Sequence, residues 1–209
     1  MYKKIIKRFM DIIGSFGLII GLSLLLILIA FLVKITSKGR VFYCQRRIGR
    51  DKKEFCILKF RTMKSTAPGD VPTHLLQNPE QYITKVGKFL RKTSLDELPQ
   101  LFNILKGDMS LVGPRPALWN QYDLIEERGK YGANTVRPGL TGWAQVNGRD
   151  ELPIPLKAKY DGEYIKKMSF LFDISCILKT FYCVLKHKGV KEGVCEVKKL
   201  YEEGTGNWG

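Results

Sequence analysis

The chain has 209 residues and a mass of 23.9 kDa, with 35 Lys and Arg against 20 Asp and Glu and a formal net charge of +15. That length supports one domain with a core and excludes two large ones, and 44% apolar with 26% charged residues excludes wholesale disorder. Its five cysteines, Cys44, Cys56, Cys176, Cys183 and Cys195, contain no C-x-x-C pair, and His74 and His187 stand far apart. Neither a disulfide scaffold nor a zinc site is expected, and a reducing compartment fits.

The first element in chain order is apolar. From Ile12 to Val33 the chain carries no charge over 22 positions, enough at roughly 1.5 Å per residue to reach across a hydrocarbon core about 30 Å thick. A cleaved signal peptide has a shorter apolar core closed by small residues. This run ends Ala30-Phe-Leu-Val-Lys34 and predicts a permanent anchor rather than a leader or a buried core helix. Lys3, Lys4, Lys7 and Arg8 precede it, and Lys34, Lys38, Arg40, Arg46 and Arg47 follow. Basic residues on both sides predict either a re-entrant hairpin whose ends share the cytoplasmic face or a span with weak orientation signals. Gly14, Gly17, Gly21 and Ser23 are the available bending points. The first 60 residues hold 13 basic and 3 acidic side chains, a net +10 of the total +15. Charge concentrated there favours anionic headgroups and a phosphorylated substrate over nucleic acid.

Beyond the anchor, taken as 1–36, the pattern predicts one compact domain over 37–188 and a loosely held charged tail over 189–209. Val41-Phe-Tyr-Cys-Gln-Arg-Arg47 and Glu54-Phe-Cys-Ile-Leu-Lys-Phe60 are β-rich runs joined by 48–53, a hairpin. Residues 64–80 lack periodicity and read as a loop. Leu95, Leu98, Leu101, Phe102 and Leu105 recur at helical spacing, with Gly107 placed as a stop. Two more helices are expected near 156–168 and 171–186, the second apolar enough to be either core or an interfacial helix with Lys179, Lys186 and Lys188 at headgroup level. The fold class is α+β: a membrane-inserted helix and a mainly helical domain with a small β-hairpin.

The chemistry is most legible over 91–115. Asp96 and Glu97 are adjacent carboxylates at the opening of a helix. One reading is a capping box, with Ser94 as N-cap and Glu97 three residues later. Pro99 argues for a second register in which the helix begins nearer Leu98 and the carboxylates stand in its entry loop. In either register the helix dipole is expected to lower the carboxylate pKa, and an ionised aspartate can attack phosphorus while its neighbour holds a metal ion against phosphate oxygens. Gly107-Asp-Met-Ser-Leu-Val-Gly-Pro-Arg-Pro116 is a stiff loop presenting Arg115, suited to a bidentate grip on phosphate or an ordinary turn with a solvated arginine. Arg137 to Arg149 is a second Pro- and Gly-shaped loop around Trp143, fit to cradle a nucleotide or to close a core.

Four ordered motifs, Lys59-Phe-Arg-Thr-Met63, Ser94-Leu-Asp-Glu-Leu-Pro-Gln-Leu101, Met109-Ser-Leu-Val-Gly-Pro-Arg-Pro116 and Arg137-Pro-Gly-Leu-Thr-Gly-Trp143, resemble those of the bacterial sugar transferases, the monotopic polyprenyl-phosphate phosphoglycosyl transferases. The resemblance implies transfer of a sugar 1-phosphate from a UDP-sugar to a membrane polyprenyl phosphate with release of UMP, the first membrane step of a surface polysaccharide or glycoprotein glycan. It implies a site on the cytoplasmic face of the bacterial inner membrane, with membrane lipids as further partners and no nucleic acid. Asp96 is then the nucleophile of a covalent phosphosugar intermediate, and Glu97 is its partner in the dyad. The two hold Mg²⁺, and Lys59, Arg91, Arg115, Arg137 and Arg149 bind phosphate. Asp161, in Tyr160-Asp-Gly-Glu-Tyr-Ile165, either supports the metal site or orients an arginine.

Two departures stand out: Ser23-Leu24 where the family usually breaks its membrane helix at Ser-Pro, and Gly39-Arg40 where it commonly has Gly-Pro. Leu24 frees no backbone carbonyl, so the doubly basic flanks alone favour re-entry. With no extra domain ahead of the anchor, a minimal catalytic core is expected. The alternative class, a non-enzymatic membrane-anchored basic binder, explains the anchor and charge but leaves Lys59, the carboxylates and the ordered loops without a role.

Overall fold

The computed structural model describes residues 2–64, 66–67, 79–148 and 152–185. Arg149, most of the expected loop over 64–80 and the expected tail over 189–209 lie outside the described residues. A π-helical turn, Tyr2–Ile6, runs into α1 (Lys7–Gly21), and after Leu22 the chain continues as α2 (Ser23–Thr36). Neither helix alone is long and apolar enough to cross a membrane, but the pair together passes that test, bent by 65° at the break.

The bend forms without a proline. Leu22 sits at φ −100°, ψ 8°, with its N–H donating back to Leu18 O and its carbonyl accepting from Leu26 N, so it closes one helix and opens the next. Each helix docks on a different part of the domain, and that sets the two directions. Helix α1 turns Lys7, Asp11 and Ser15 inward, one residue per turn. Lys7 Nζ meets Asp173 Oδ2 at 2.6 Å, Asp11 Oδ1 accepts from Ser110 Oγ and Leu111 N at 2.9 Å each, and Arg8 donates to the carbonyls of Ile104 and Leu105. Helix α2 instead buries Ile29 and Val33 against Phe60 and Leu90. The outer face of the pair, including Phe9, Ile13, Phe16, Ile20, Leu24, Ile27 and Phe31, is exposed. With its polar stripe inward and its apolar stripe outward, α1 is the reverse of a soluble surface helix, as insertion into lipid requires.

Strands β1 (Phe42–Ile48) and β2 (Glu54–Phe60) form the expected hairpin, paired from Phe42 with Phe60 to Ile48 with Glu54. Cys44 and Cys56 stand side by side on this hairpin, their Cα atoms 5.5 Å apart. Residues two positions off register share one face of a strand pair, a proximity that distance along the chain does not reveal. Helices α3 (Lys85–Lys92) and α4 (Gln100–Lys106) follow, then β3 (Ser110–Val112) and β4 (Ala117–Leu118), with β4 adding to the free side of β1. After α5 (Tyr122–Gly129), β5 (Gly139–Thr141) lies parallel to β3, and α6 (Trp143–Val146), α7 (Ile154–Lys167) and α8 (Phe170–Leu185) complete the domain. The two expected late helices are α7 and α8. On α8, Cys176 packs with Val112, Tyr164 and Met168 as the core reading expects, while Phe170, Leu171, Leu178, Phe181 and Tyr182 are exposed; Lys186 and Lys188 lie outside the described residues.

Candidate active site

Backbone geometry brings four chain segments together at one point. Gly87 in α3 lies directly on the chain at Thr62, where a Cβ would stand 2.0 Å from the Thr62 carbonyl oxygen, so no other residue allows this approach. The close contact lets Arg91, one turn on, donate from Nε to Thr62 Oγ1 at 2.8 Å. Ser94 then takes a left-handed conformation, φ 57°, and reverses the chain into a single 3-10 turn, Leu95–Glu97, ahead of α4. Gly107, at φ 103°, ends α4 as expected.

The capping box does not form. Ser94 makes no side-chain cap bond, and the Glu97 side chain turns away to accept from Lys59 Nζ at 2.9 Å and Arg115 Nη2 at 2.8 Å on Oε1, with Arg115 Nη1 at 3.4 Å from Oε2. The second register is the observed one, with Asp96 and Glu97 in the entry turn and Pro99 at the N-cap of α4. Lys59 arrives from β2, and Arg115 from the loop between β3 and β4, where Gly113 packs against the Arg137–Gly139 backbone.

Asp96 and Glu97 are only 9% and 8% exposed. Burial, and then the Glu97 charge beside it, push the Asp96 carboxyl up to about 6, against the opposing pull of Lys59, Arg91 and Arg115. This corrects the expected depression. A single 3-10 turn offers little dipole, so desolvation wins. Two carboxylates and three cations leave the cluster with a surplus positive charge when all are ionised, an arrangement that attracts a phosphate while keeping a nucleophile within reach.

Lys59, Arg91 and Arg115 are thus brought to Asp96 and Glu97, whereas Asp161 and Arg137 are placed elsewhere. Asp161, on α7, is buried against Arg128 of α5, with Oδ2 2.7 Å from Nε and 2.6 Å from Nη2. Of its two open roles, orienting an arginine is the one the geometry provides. Arg137 donates from Nε to the Gly107 carbonyl at 2.8 Å, so with Arg8 it satisfies carbonyls at the C-terminal end of α4, the end remote from the carboxylates. Among the described residues no three His, Cys, Asp or Glu side chains gather into a metal-binding group. Two contributors were not singled out from the sequence: Thr62, whose signal is its place in Lys59-Phe-Arg-Thr-Met63, and Asn103, whose signal is an amide set between apolar residues in mid-helix.

A bent apolar helix pair joined to a domain with buried paired carboxylates under a ring of cations defines a membrane-associated α+β protein with an anion-attracting acidic site. Residues 2–187 match the family described as bacterial sugar transferase, and the chain belongs to that family of sugar transferase enzymes. It is 42% identical over 187 residues to the UDP-glucose:undecaprenyl-phosphate glucose-1-phosphate transferase of Escherichia coli K12, covering 86% of this chain and 40% of that protein. It is 38% identical over 188 residues to the uncharacterized sugar transferase EpsL of Bacillus subtilis 168, covering 90% and 91%. It is also 37% identical over 191 residues to the UDP-N-acetylgalactosamine-undecaprenyl-phosphate N-acetylgalactosaminephosphotransferase of Aeromonas hydrophila, covering 89% and 45%. The chain therefore spans less than half the length of the E. coli and Aeromonas relatives and nearly all of EpsL.

Proposed function

We propose that this protein transfers a sugar 1-phosphate from a UDP-sugar to polyprenyl phosphate on the cytoplasmic face of a bacterial inner membrane, as the first membrane step of a surface glycan. The observation that carries the reading is the buried Asp96–Glu97 pair ringed by Lys59, Arg91 and Arg115, in a domain fastened to an outward-apolar helix pair. An Asp96 oxygen attacks the sugar-bearing phosphorus, and the bond from that phosphorus to the bridging oxygen breaks, leaving UMP with the bond's electron pair. An oxygen of the lipid phosphate then attacks the same phosphorus and returns the electron pair to Asp96, giving polyprenyl-diphosphate sugar. Lys59 and Arg115 hold Glu97 still, and with Arg91 they offset the charge of the incoming phosphates.

The donor set fits a magnesium ion, which is held by one or two carboxylates together with substrate phosphates. Two carboxylates are adjacent, buried and mutually repulsive here. Asp96 and Glu97 are the residues that would hold it, and the chemistry it supplies is neutralisation of phosphate charge. The exposed outer face of α8 supports a second contact with lipid beside the anchor.

UMP release from nanodisc-held protein with polyprenyl phosphate, Mg²⁺ and a panel of UDP-sugars tests the reading. Release with one sugar, absent in Asp96→Asn, and a sugar-phosphate adduct on Asp96 by mass spectrometry are the expected results. Wild-type release retained in Asp96→Asn removes the nucleophile assignment, and no release with any sugar favours the anchored binder.

A further inference from the structure

Strand β2 is the outer strand of the order β2-β1-β4. Its backbone on the side away from β1 needs partners, and at the middle of the strand one side chain supplies them. Asn103 of α4 accepts from Leu58 N through Oδ1 at 3.0 Å and donates from Nδ2 to Cys56 O at 2.7 Å. An amide bonded to positions i and i+2 of one strand mimics the next strand of the sheet. The side chain is buried, and the Asn103 carbonyl also accepts from the backbone N–H groups of Gly107, Asp108 and Met109, the turn that leads into β3 and on to Arg115.

We propose that Asn103 is a positioning residue of the active site, acting as a surrogate strand whose paired hydrogen bonds set the place along β2 at which Lys59 meets Glu97. Ile57 and Lys59 lie on one face of β2 because side chains alternate. Ile57 packs against Leu101 and Ile104 of α4, and Glu97 lies just ahead of that helix. Apolar contacts of this kind are non-directional and allow one element to slide on another. A donor and an acceptor two residues apart do not, since a one-residue slip turns the strand's side chains to the opposite face. Asn103 therefore converts a greasy contact into a fixed register and brings the Lys59 ammonium 2.9 Å from Glu97 Oε1. The functional part of this inference rests on the transfer reaction proposed above; the structural part does not.

The experiment uses the full chain in nanodiscs. Asn103→Leu keeps the branched shape and removes both hydrogen bonds, whereas Asn103→Asp keeps the acceptor for Leu58 and sets an oxygen against the Cys56 carbonyl. Amine acylation by a water-soluble N-hydroxysuccinimide acetate, read by peptide mass spectrometry, reports where Lys59 is. Its modification rate is expected to rise about threefold or more in both variants while that of Lys7, buried on Asp173, stays at the wild-type value. An unchanged Lys59 rate overturns the proposal. Should Lys7 become reactive in Asn103→Leu, that variant has unfolded and Asn103→Asp decides by the same two readings. In turnover, kcat is expected to fall about tenfold with KM for the UDP-sugar within about twofold, and Lys59→Met is expected to cost far less in the Asn103→Leu background than in the wild type. Independent, multiplicative losses overturn the positioning role. A wild type that releases no UMP removes the reaction, and the Lys59 labelling still decides the position.

Discussion

Two buried carboxylate–arginine contacts in this molecule use the same chemistry for different ends. Asp161 and Arg128 form a buried pair between α5 and α7, with side chains 1% and 4% exposed and a weaker pull on Asp161 from Lys157 of its own helix. Glu97 belongs to an open cluster in which two carboxylates share Lys59, Arg91 and Arg115. The Asp161–Arg128 pair bridges two helices of the scaffold through Arg128 Nε and Nη2 on one carboxylate oxygen. Burial raises the carboxyl at both places, Asp161 as well as Asp96, but the open cluster gathers two carboxylates under three cations. Stoichiometry and connectivity, rather than residue type or burial, separate a structural ion pair from a reactive site.

Substitution at each pole sharpens that contrast. Asp96→Asn is expected to lower UMP release on the order of 10⁴-fold or more, because a neutral amide is no nucleophile. Asp161→Asn is expected to act on the fold instead, destabilising it by about 3–5 kcal/mol by stranding the Arg128 charge. Thermal melting checks this, and activity measured per folded molecule should stay close to that of the wild type. A large kcat loss in a fully folded Asp161→Asn protein breaks the comparison. Arg115→Lys keeps the charge but loses the two-nitrogen grip on Glu97, and a loss of roughly tenfold to a hundredfold in UMP release is expected.

The smallest effect concerns pH. Since the Asp96 carboxyl is raised from 3.8 to about 6 in the folded chain, its reactive carboxylate is lost as pH falls, and the acid limb of kcat/KM is expected near pH 6. The linkage runs the other way for stability. The folded state binds the proton more tightly than the unfolded one, so the stability this proton supplies is full below about pH 4 and is lost as pH rises through about 6. Asp96→Asn is therefore expected to melt higher than the wild type at pH 8, with the gap closing as pH falls to about 4. An equal gap at both values contradicts the raised carboxyl.

Much of this was legible in local sequence. The uncharged run from Ile12 to Val33, the hairpin of β1 and β2, the stop at Gly107 and the adjacent carboxylates all depend on composition, alternation or turn chemistry within a few residues. Helix α3 was not read, because its inward residues are few and its fit depends on the approach of Gly87 to Thr62. Asp161 and Arg137 sit in family-like motifs, yet their partners, Arg128 and the Gly107 carbonyl, lie 33 and 30 residues away along the chain.

By itself the sequence determined that the chain has an apolar anchor with basic flanks, that the domain is α+β and that Asp96 and Glu97 head a short helix. Only the tertiary structure decided where the anchor bends without a proline, that Ser94 does not cap Glu97, that burial raises the Asp96 carboxyl and which cations surround it. The physical reason is range. Hydropathy and backbone preference act between neighbours in the chain, whereas desolvation, ion-pair stoichiometry and the docking of α1 and α2 on different surfaces arise from groups that only folding brings together.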